Sequence, residues 1–490
     1  MALAESQNFH SRLHSGALRP SDEALLERYP LTPGLVRLIE HHLHANGLEP
    51  KVIGSSRSSL RRTWFYWKEW VQDGGKHHVT RAKLEAIASL INIDHAILKT
   101  ACLVDFELLE GIAREVDEHL LRLIRAAEGL SQDELAEDYD NLLVGCLAKH
   151  RLHPTTFIAL LDQIATDSST RNRLPAPDLL VDVADDFTSI IFACNGVSPL
   201  RVRRPQLLWD CCCPAWPKRI GRVCRIHSNP SGAAIARAFG QARVEIRWRG
   251  LSVRWRNRPE LWPPSVDTFR MMNALRDDRR IATSSSILDL GSGTGMLGLF
   301  AASRASKKAP VTLDLADWLL TPALYGAANF AINREHLGEC TPRFRIGMMK
   351  RWIEAEQSNG PSMSDLVLCN PPYLPAFQPF RWLGQHSAVI STDLLEDVIS
   401  NASSYGKHVF VQYSSVADRE ALRAARRGGV RLAPVGKDRL VPFRVSVALS
   451  ERPYIAALLH RGGLRRGRKD GHRFWHTLRL RRLKGRPKTR

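Results

Sequence analysis

The segment Ile287–Leu299, ILDLGSGTGMLGL, constrains the fold more than any other stretch of the chain. A short apolar run carrying one acid, Asp289, leads into Gly291, Gly293 and Gly295, and a second apolar run follows at once. The pattern predicts a buried strand, a tight glycine turn and a helix. The glycines let the backbone turn sharply and approach a ligand closely, and the helix that opens behind them directs its first amide groups at that ligand. From residue 284 onward strands and helices alternate, with strands expected at Ser286–Leu290, Val311–Leu315, Phe344–Met348, Asp365–Cys369 and His408–Tyr413. Alternation of this kind implies a parallel sheet with helices on both faces, an α/β fold.

The glycines alone do not choose the ligand. Gly293, Gly295 and Gly298 also satisfy the Gly-x-Gly-x-x-Gly fingerprint of dinucleotide sites. Asp289, two residues before the first glycine, favours S-adenosylmethionine. A carboxylate there meets the cationic amino end of the methionine, and it would sit poorly beside a pyrophosphate. The next strand should end in an acid for the ribose hydroxyls. Counting forward from Gly295 gives Asp314, 19 residues on; counting back from Asn329 gives Asp317. Asp314 is preferred, and the other acid is then a helix N-cap.

A second motif addresses the acceptor. DLVLCNPPYLP, residues 365–375, predicts an apolar strand that delivers Asn370, Pro371, Pro372 and Tyr373 at its carboxyl end, where such sheets place their sites. An amide or aromatic amine is a poor nucleophile because its lone pair is delocalised. Two acceptors, the Asn370 side-chain oxygen and the Pro371 carbonyl, orient that nitrogen and stabilise the charge growing on it. The prolines stiffen the turn, and Tyr373 offers a flat face to a planar substrate. No strong general base is needed, because the proton leaves after methyl transfer.

With these residues the segment resembles the HemK/PrmC-like small methyltransferase family, which shares the motif with amino-group DNA methyltransferases. LWPPSVDTFRMM, 261–272, supports the likeness through Pro264, Asp267 and Thr268. The resemblance implies a Rossmann-like class I methyltransferase domain using S-adenosylmethionine. It implies that Asp267 and Thr268 help close over the methionine end. Two departures stand out. Met348, Met349 and Lys350 occupy the place where the family often has an acid facing adenine, and the N-terminal region is unlike the short helical domain of release-factor methyltransferases.

The remainder divides by pattern. Residues 1–176 form a mainly helical region, 177–262 a mixed segment with a β-hairpin at 243–255, 263–460 the methyltransferase domain, and 461–490 a last strand and basic tail. Residues 120–140 and 79–99 resemble helix-turn-helix modules of the Xre/Cro type, the first with Gly129 closing one helix and Ser131 and Glu134 as a capping box. Between residues 57 and 70, Arg57, Arg61 and Arg62 interleave with Trp64, Phe65, Tyr66, Trp67 and Trp70, which suits phosphate contact and stacking. A plain helical bundle with the aromatics in its core is the competing expectation. Cys211, Cys212, Cys213, Cys224 and His227 lack the paired spacing of structural zinc, so no metal is expected.

Charge and cysteines bound the partners. There are 70 Lys and Arg against 50 Asp and Glu, and 13 of the cations fall in residues 461–490. A field of that sign attracts polyanions. Nine scattered cysteines do not form a disulfide framework and fit a reducing cytoplasm. Neither a signal peptide nor a membrane span is expected. The leading expectation is an N-methyltransferase acting on an exocyclic amine of a nucleic-acid base. A protein glutamine-amide methyltransferase is the first alternative, and a DNA-binding regulator whose methyltransferase fold senses cofactor is the second.

Overall fold

The computed structural model describes residues 27–48, 58–72, 77–103, 105–126, 132–167, 170–185, 189–194, 197–202, 243–256, 258, 261–305, 309–347, 363–375, 391–443, 452–469 and 472–485. The chain forms two compact units, Met1–Pro175 and Ala176–Arg490. Among the described residues no helix is long and apolar enough to cross a membrane.

The first unit is helical, with one short antiparallel ladder of β1 (Arg28–Pro30) and β2 (His78–Thr80). Its helices are α1 (Pro33–Ala45), α2 (Ser58–Gln72), α3 (Arg81–Leu90), α4 (His95–Leu103), α5 (Phe106–Ala126), α6 (Gln132–Ala148), α7 (Pro154–Thr166) and α8 (Thr170–Arg173). Thr32 caps α1 by accepting the Leu35 amide at 3.1 Å, and Pro33 fills the position where a missing N–H costs nothing. Leu35, Leu38, Ile39 and Leu43 then form the buried stripe of α1, as their three- and four-residue spacing requires. In the stretch that resembles a helix-turn-helix module, α5 runs for 21 residues and α6 for 17. Gly129 and Ser131 lie outside the described residues, as do the Glu134 side chain and the cysteine cluster at 211–213 and 224.

The second unit holds two sheets. The smaller contains β3 (Leu179–Val183), β4 (Ile190–Cys194), β5 (Val197–Val202), β6 (Arg243–Trp248) and β7 (Leu251–Arg256), in the order β5-β4-β3-β6-β7. Arg249 and Gly250, both at positive φ, join β6 to β7. A two-residue hairpin turn of that hand matches the twist of its strands. Trp248 is fully buried and packs its ring against Phe269 and Phe300, which lie on α9 (Val266–Leu275) and α11 (Met296–Ala305). The short α10 (Arg279–Ala282) lies between them in sequence.

The larger sheet contains β8 (Ser286–Leu290), β9 (Val311–Asp317), β10 (Cys340–Ile346), β11 (Ser364–Cys369), β12 (Gly406–Ser414), β13 (Val430–Pro434), β14 (Arg439–Pro442), β15 (Arg465–Lys469) and β16 (His472–Gly485). Its main path is β10-β9-β8-β11-β12-β16-β13. The first five of these pair in parallel. Strand β16 enters between β12 and β13 in the opposite direction. The basic run at the chain's end is therefore mostly sheet: Arg479 and Arg481 are strand residues, ion-paired to Asp418 and Asp438. Helices α12 (Leu320–Asn333), α13 (Asp393–Ser400), α14 (Ala402–Tyr405), α15 (Asp418–Arg427) and α16 (Arg452–His460) complete the unit.

Two asparagines of α12 join the sheets. Strand β7 is an edge strand, and Asn333 and Asn329 imitate a neighbouring strand along it. Asn333 accepts the Ser252 amide at 2.8 Å and donates to the Ser252 carbonyl. Asn329, one turn earlier, accepts the Arg254 amide at 2.6 Å and donates to the Arg254 carbonyl at 3.0 Å. Asn329 also donates to the Thr294 carbonyl in the glycine loop at 2.9 Å. An exposed row of backbone groups is thereby satisfied. Asn329→Ala removes three hydrogen bonds and should lower stability by about 2–4 kcal/mol, measured by urea unfolding of the full chain. Asn329→Asp, which keeps the acceptor but sets a buried carboxyl against the Arg254 and Thr294 carbonyls, should destabilise at least as much.

Candidate active site

The strand order creates the site. From β8 the chain winds outward to β9 and β10 on one side, then returns to β11 and β12 on the other. The switch lies between β8 and β11, where ligands of open α/β sheets bind beyond the carboxyl ends. The last register pairs are Leu290 with Ala316, Leu290 with Cys369, and Cys369 with Val411. One residue further along each strand stand Asp317, Gly291, Asn370 and Gln412, in a transverse row. Adjacent strands are about 4.8 Å apart, so Asp317 and Asn370 lie roughly 10 Å from one another across the row.

Strand β9 runs two residues beyond the expected Val311–Leu315, and this decides which acid reaches the ligand side. Asp314 sits within the strand, buried, with its carboxylate taken by Arg343 at 2.6 Å and Arg345 at 2.7 Å. Asp317 ends the strand. One of its oxygens accepts the Gly293 amide at 3.0 Å and the other accepts the Trp318 amide at 2.8 Å. Asp317, and not Asp314, thus reaches the glycine loop from the end of its strand.

The glycine loop is held from several sides. Gly291, Gly293 and Gly295 all have positive φ, between 53° and 78°. A side chain on Gly293 would also come within 3.2 Å of the Trp262 carbonyl. The Pro264 segment therefore runs directly over the loop. Asp289 accepts the Gly298 amide at 2.7 Å and so ties α11 to β8. On Gly298 a Cβ would press to 2.8 Å from Leu315, so glycine permits the close packing of helix and sheet. Thr268 accepts the Ser265 amide at 3.2 Å, half of a capping box at the start of α9.

Asp267, on that first turn, reaches the acceptor motif. It accepts the Tyr373 hydroxyl at 2.6 Å. Asn370 and Tyr373 are half-buried at the mouth of β11, with Pro371 buried between them and Pro372 half-buried. Gln412 completes the arrangement. From β12 it donates to the Asp267 carbonyl at 2.6 Å and to Asn370 Oδ1 at 3.4 Å. Behind it, on β16, buried His476 bonds Ser414 at 2.6 Å, and its ring centroid lies 6.0 Å from that of Tyr373. Burial drives the His476 pKa down to about 3, so the ring is neutral. Neither Gln412 nor His476 belongs to a motif. The one signal in the sequence is Gln412 as a lone amide within the apolar run HVFVQY. Met348, Met349 and Lys350 lie outside the described residues.

Three acids of the site carry raised pKa values, in each case chiefly because burial disfavours the charge. Asp289 is pushed up to about 8, Asp267 to about 7 and Asp317 to about 6. Backbone amides oppose the shift at Asp289 and Asp317.

No protein-family model matches the chain. A tRNA1(Val) (adenine(37)-N6)-methyltransferase of Shewanella frigidimarina is 29% identical over 124 residues, 24% of this chain and 47% of that protein. The chain therefore spans about half the length of this curated relative. A S-adenosylmethionine-dependent methyltransferase from Agrobacterium tumefaciens overlays at a TM-score of 0.32 with 15% identity, covering 64% of this chain and 92% of its own. A ribosomal protein L11 methylase from Lactobacillus delbrueckii overlays at 0.25 with 13% identity, covering 50% and 86%. The reversed strand between β12 and β13 is absent from the all-parallel 3-2-1-4-5-6 dinucleotide sheet. The second unit is a Rossmann-like α/β unit whose mostly parallel sheet carries one reversed strand.

S-adenosylmethionine fits the residues of this domain. Asp267 Oδ1 and Ser292 Oγ are buried polar atoms without a hydrogen-bond partner among the described residues. Asp289, Asp267 and Asp317 are buried with raised pKa values, and a cationic methionine end beside them would favour their charged forms.

Two outcomes are expected. Asp317→Ala frees the Gly293 amide and should weaken S-adenosylhomocysteine binding more than about tenfold. Asp314→Asn should lower the melting temperature and leave that affinity within about twofold. The second concerns pH. The folded state keeps Asp289 protonated up to about 8, whereas the unfolded chain ionises it near 3.8. The folded state thus holds the extra proton, and stability falls as pH rises from about 4 to about 8. Asp289→Asn lacks this dependence. Its melting temperature relative to the parent chain, both without cofactor, should climb across that window.

Proposed function

We propose that the chain transfers a methyl group from S-adenosylmethionine to a planar amino nitrogen, the exocyclic amine of a nucleic-acid base, with adenine N6 the foremost candidate. The observation that carries the reading is the row Asp317–Gly291–Asn370–Gln412, with Asn370 held by Gln412 beside the glycine loop. The cofactor supplies an electrophilic methyl on a sulfonium. The protein's part is to present the nitrogen in line with it. Asn370 Oδ1 and the Pro371 carbonyl accept the two amine hydrogens, so the lone pair is turned toward the methyl as positive charge develops.

Gln412 limits the rotation of the Asn370 amide and leaves its oxygen a second lone pair for the substrate. Tyr373, pinned through its hydroxyl to Asp267, sets an aromatic face beside this point, where a base can stack. A base within a duplex must be turned out of the stack to arrive there. The net charge of +20 favours a polyanionic substrate, and the Shewanella relative acts on an adenine of tRNA, as its name states. The side-chain amide of a protein glutamine, the substrate of HemK-like enzymes, is the competing acceptor.

The test is transfer of tritiated methyl from the cofactor to fractionated cellular RNA, DNA and protein by the full chain. Label in nucleic acid, released as a methylated nucleoside on digestion, is the expected result. Asn370→Ala should reduce kcat by about 100- to 1,000-fold with KM for the cofactor nearly unchanged. Label confined to protein overturns the nucleic-acid acceptor.

A further inference from the structure

Helix α2 of the first unit carries a feature that the methyltransferase domain does not use. Its sequence, SSLRRTWFYWKEWVQ, places aromatics on two faces. Trp64 and Trp67 are buried, 6% and 1% exposed, and hold the helix to its unit. Phe65 and Tyr66 point outward, 65% and 41% exposed. Arg62, Tyr66 and Trp70 recur every four residues and so share one outer stripe.

On that stripe the rings form a ladder. Tyr66 stacks on Trp70 with centroids 5.6 Å apart and planes within 14°. Trp70 stacks on His77 at 4.7 Å and 16°. His77 is tied down because its carbonyl accepts the Leu31 amide at 2.9 Å, beside the β1–β2 ladder. At the other end Phe65 stands edge-on to Tyr66, 6.3 Å away at 71°. The ladder is thus anchored at His77 and ends on an exposed ring flanked by a second exposed ring.

We propose that this ladder is a binding platform for unpaired nucleic acid, whose bases continue the stack on the outer face of Tyr66 against the edge of Phe65. Stacked planar rings favour another flat ring over the branched side chains of a protein partner, and every base has such a face. Arg62 is exposed one turn from Tyr66, placed to meet the phosphate that follows a stacked base. Lys68 is not that cation, since it pairs with Glu40 at 3.0 Å and lies over Trp64. Glu69 neighbours Trp70 but falls off the stripe. Residues 1–175 hold 20 Lys and Arg against 24 Asp and Glu, so the phosphate contact here rests on Arg62 and not on the charge of the unit.

The platform stands independently of the methyl acceptor, and the test separates the two. Fluorescence anisotropy is measured for the full chain with labelled oligo(U) and oligo(dT) of about 12 nucleotides, and with an RNA duplex of equal length. Both single strands should bind more tightly than the duplex, and the better of the two assigns RNA or DNA. Tyr66→Ala should weaken single-strand binding about tenfold while Tyr66→Phe retains it. Tyr66→Leu keeps apolar bulk without the ring and should behave like alanine, which separates stacking from loss of packing. Binding is read without cofactor and without methyl transfer, so failure here and failure of the methyl-acceptor reading are distinguishable. Equal affinity for duplex and single strand, or unchanged affinity in Tyr66→Ala and Tyr66→Leu, overturns the proposal.

Discussion

One oxygen of Asp317 accepts the Gly293 amide at 3.0 Å, and much of the site is arranged around that bond. A glycine loop has little intrinsic preference for any shape. Here it is fixed by a carboxylate at the end of the next strand, by the Trp262 carbonyl passing over it, and by Asn329 holding Thr294 from α12. With the loop fixed, Gly291 sits in register between Asp317 and Asn370. The site is therefore a property of strand register. Moving β9 by one residue would turn Asp317 to the opposite face of the sheet.

The smaller sheet is bound into the same construction. Its edge strand β7 is paired by Asn329 and Asn333, and Trp248 packs between α9 and α11. Helix α9 brings Asp267 to Tyr373, and α11 begins at the glycine loop. The sheet thus bears on both helices that shape the pocket, and its role is to hold the loop and the acceptor motif in place. Buried carboxyls with raised pKa values accompany that arrangement, and a cation beside them would favour their charged forms.

Much of this was readable from residue order alone. The glycine loop, the Asn370–Tyr373 turn and the segment at 261–272 are local, and each carries its chemistry within a few residues. The forward count gives Asp314, within β9 and paired to Arg343 and Arg345, whereas β9 extends two residues beyond its most apolar part, to Asp317 beside the glycine loop. Gln412 and His476 were not legible. They reach the site only because β12 and β16 are neighbours, and no local pattern shows strand order. The last strand expected within 461–490 is β16, and its Arg479 and Arg481 pair with Asp418 and Asp438. Less of the positive charge is therefore available to a polyanion than the composition suggests. Exposed Tyr66 and buried Trp67 are adjacent in sequence, and only the phase of the helix separates them.

The central claim is that this loop, read with its acids, is built for a methyl donor rather than a dinucleotide, although its glycines satisfy both patterns. Calorimetric titration of the full chain with S-adenosylhomocysteine and, separately, with NAD decides it. The expected result is saturable one-to-one binding of S-adenosylhomocysteine, lost in Asp317→Ala, with no heat from NAD. Saturable binding of NAD and none of S-adenosylhomocysteine would contradict the account.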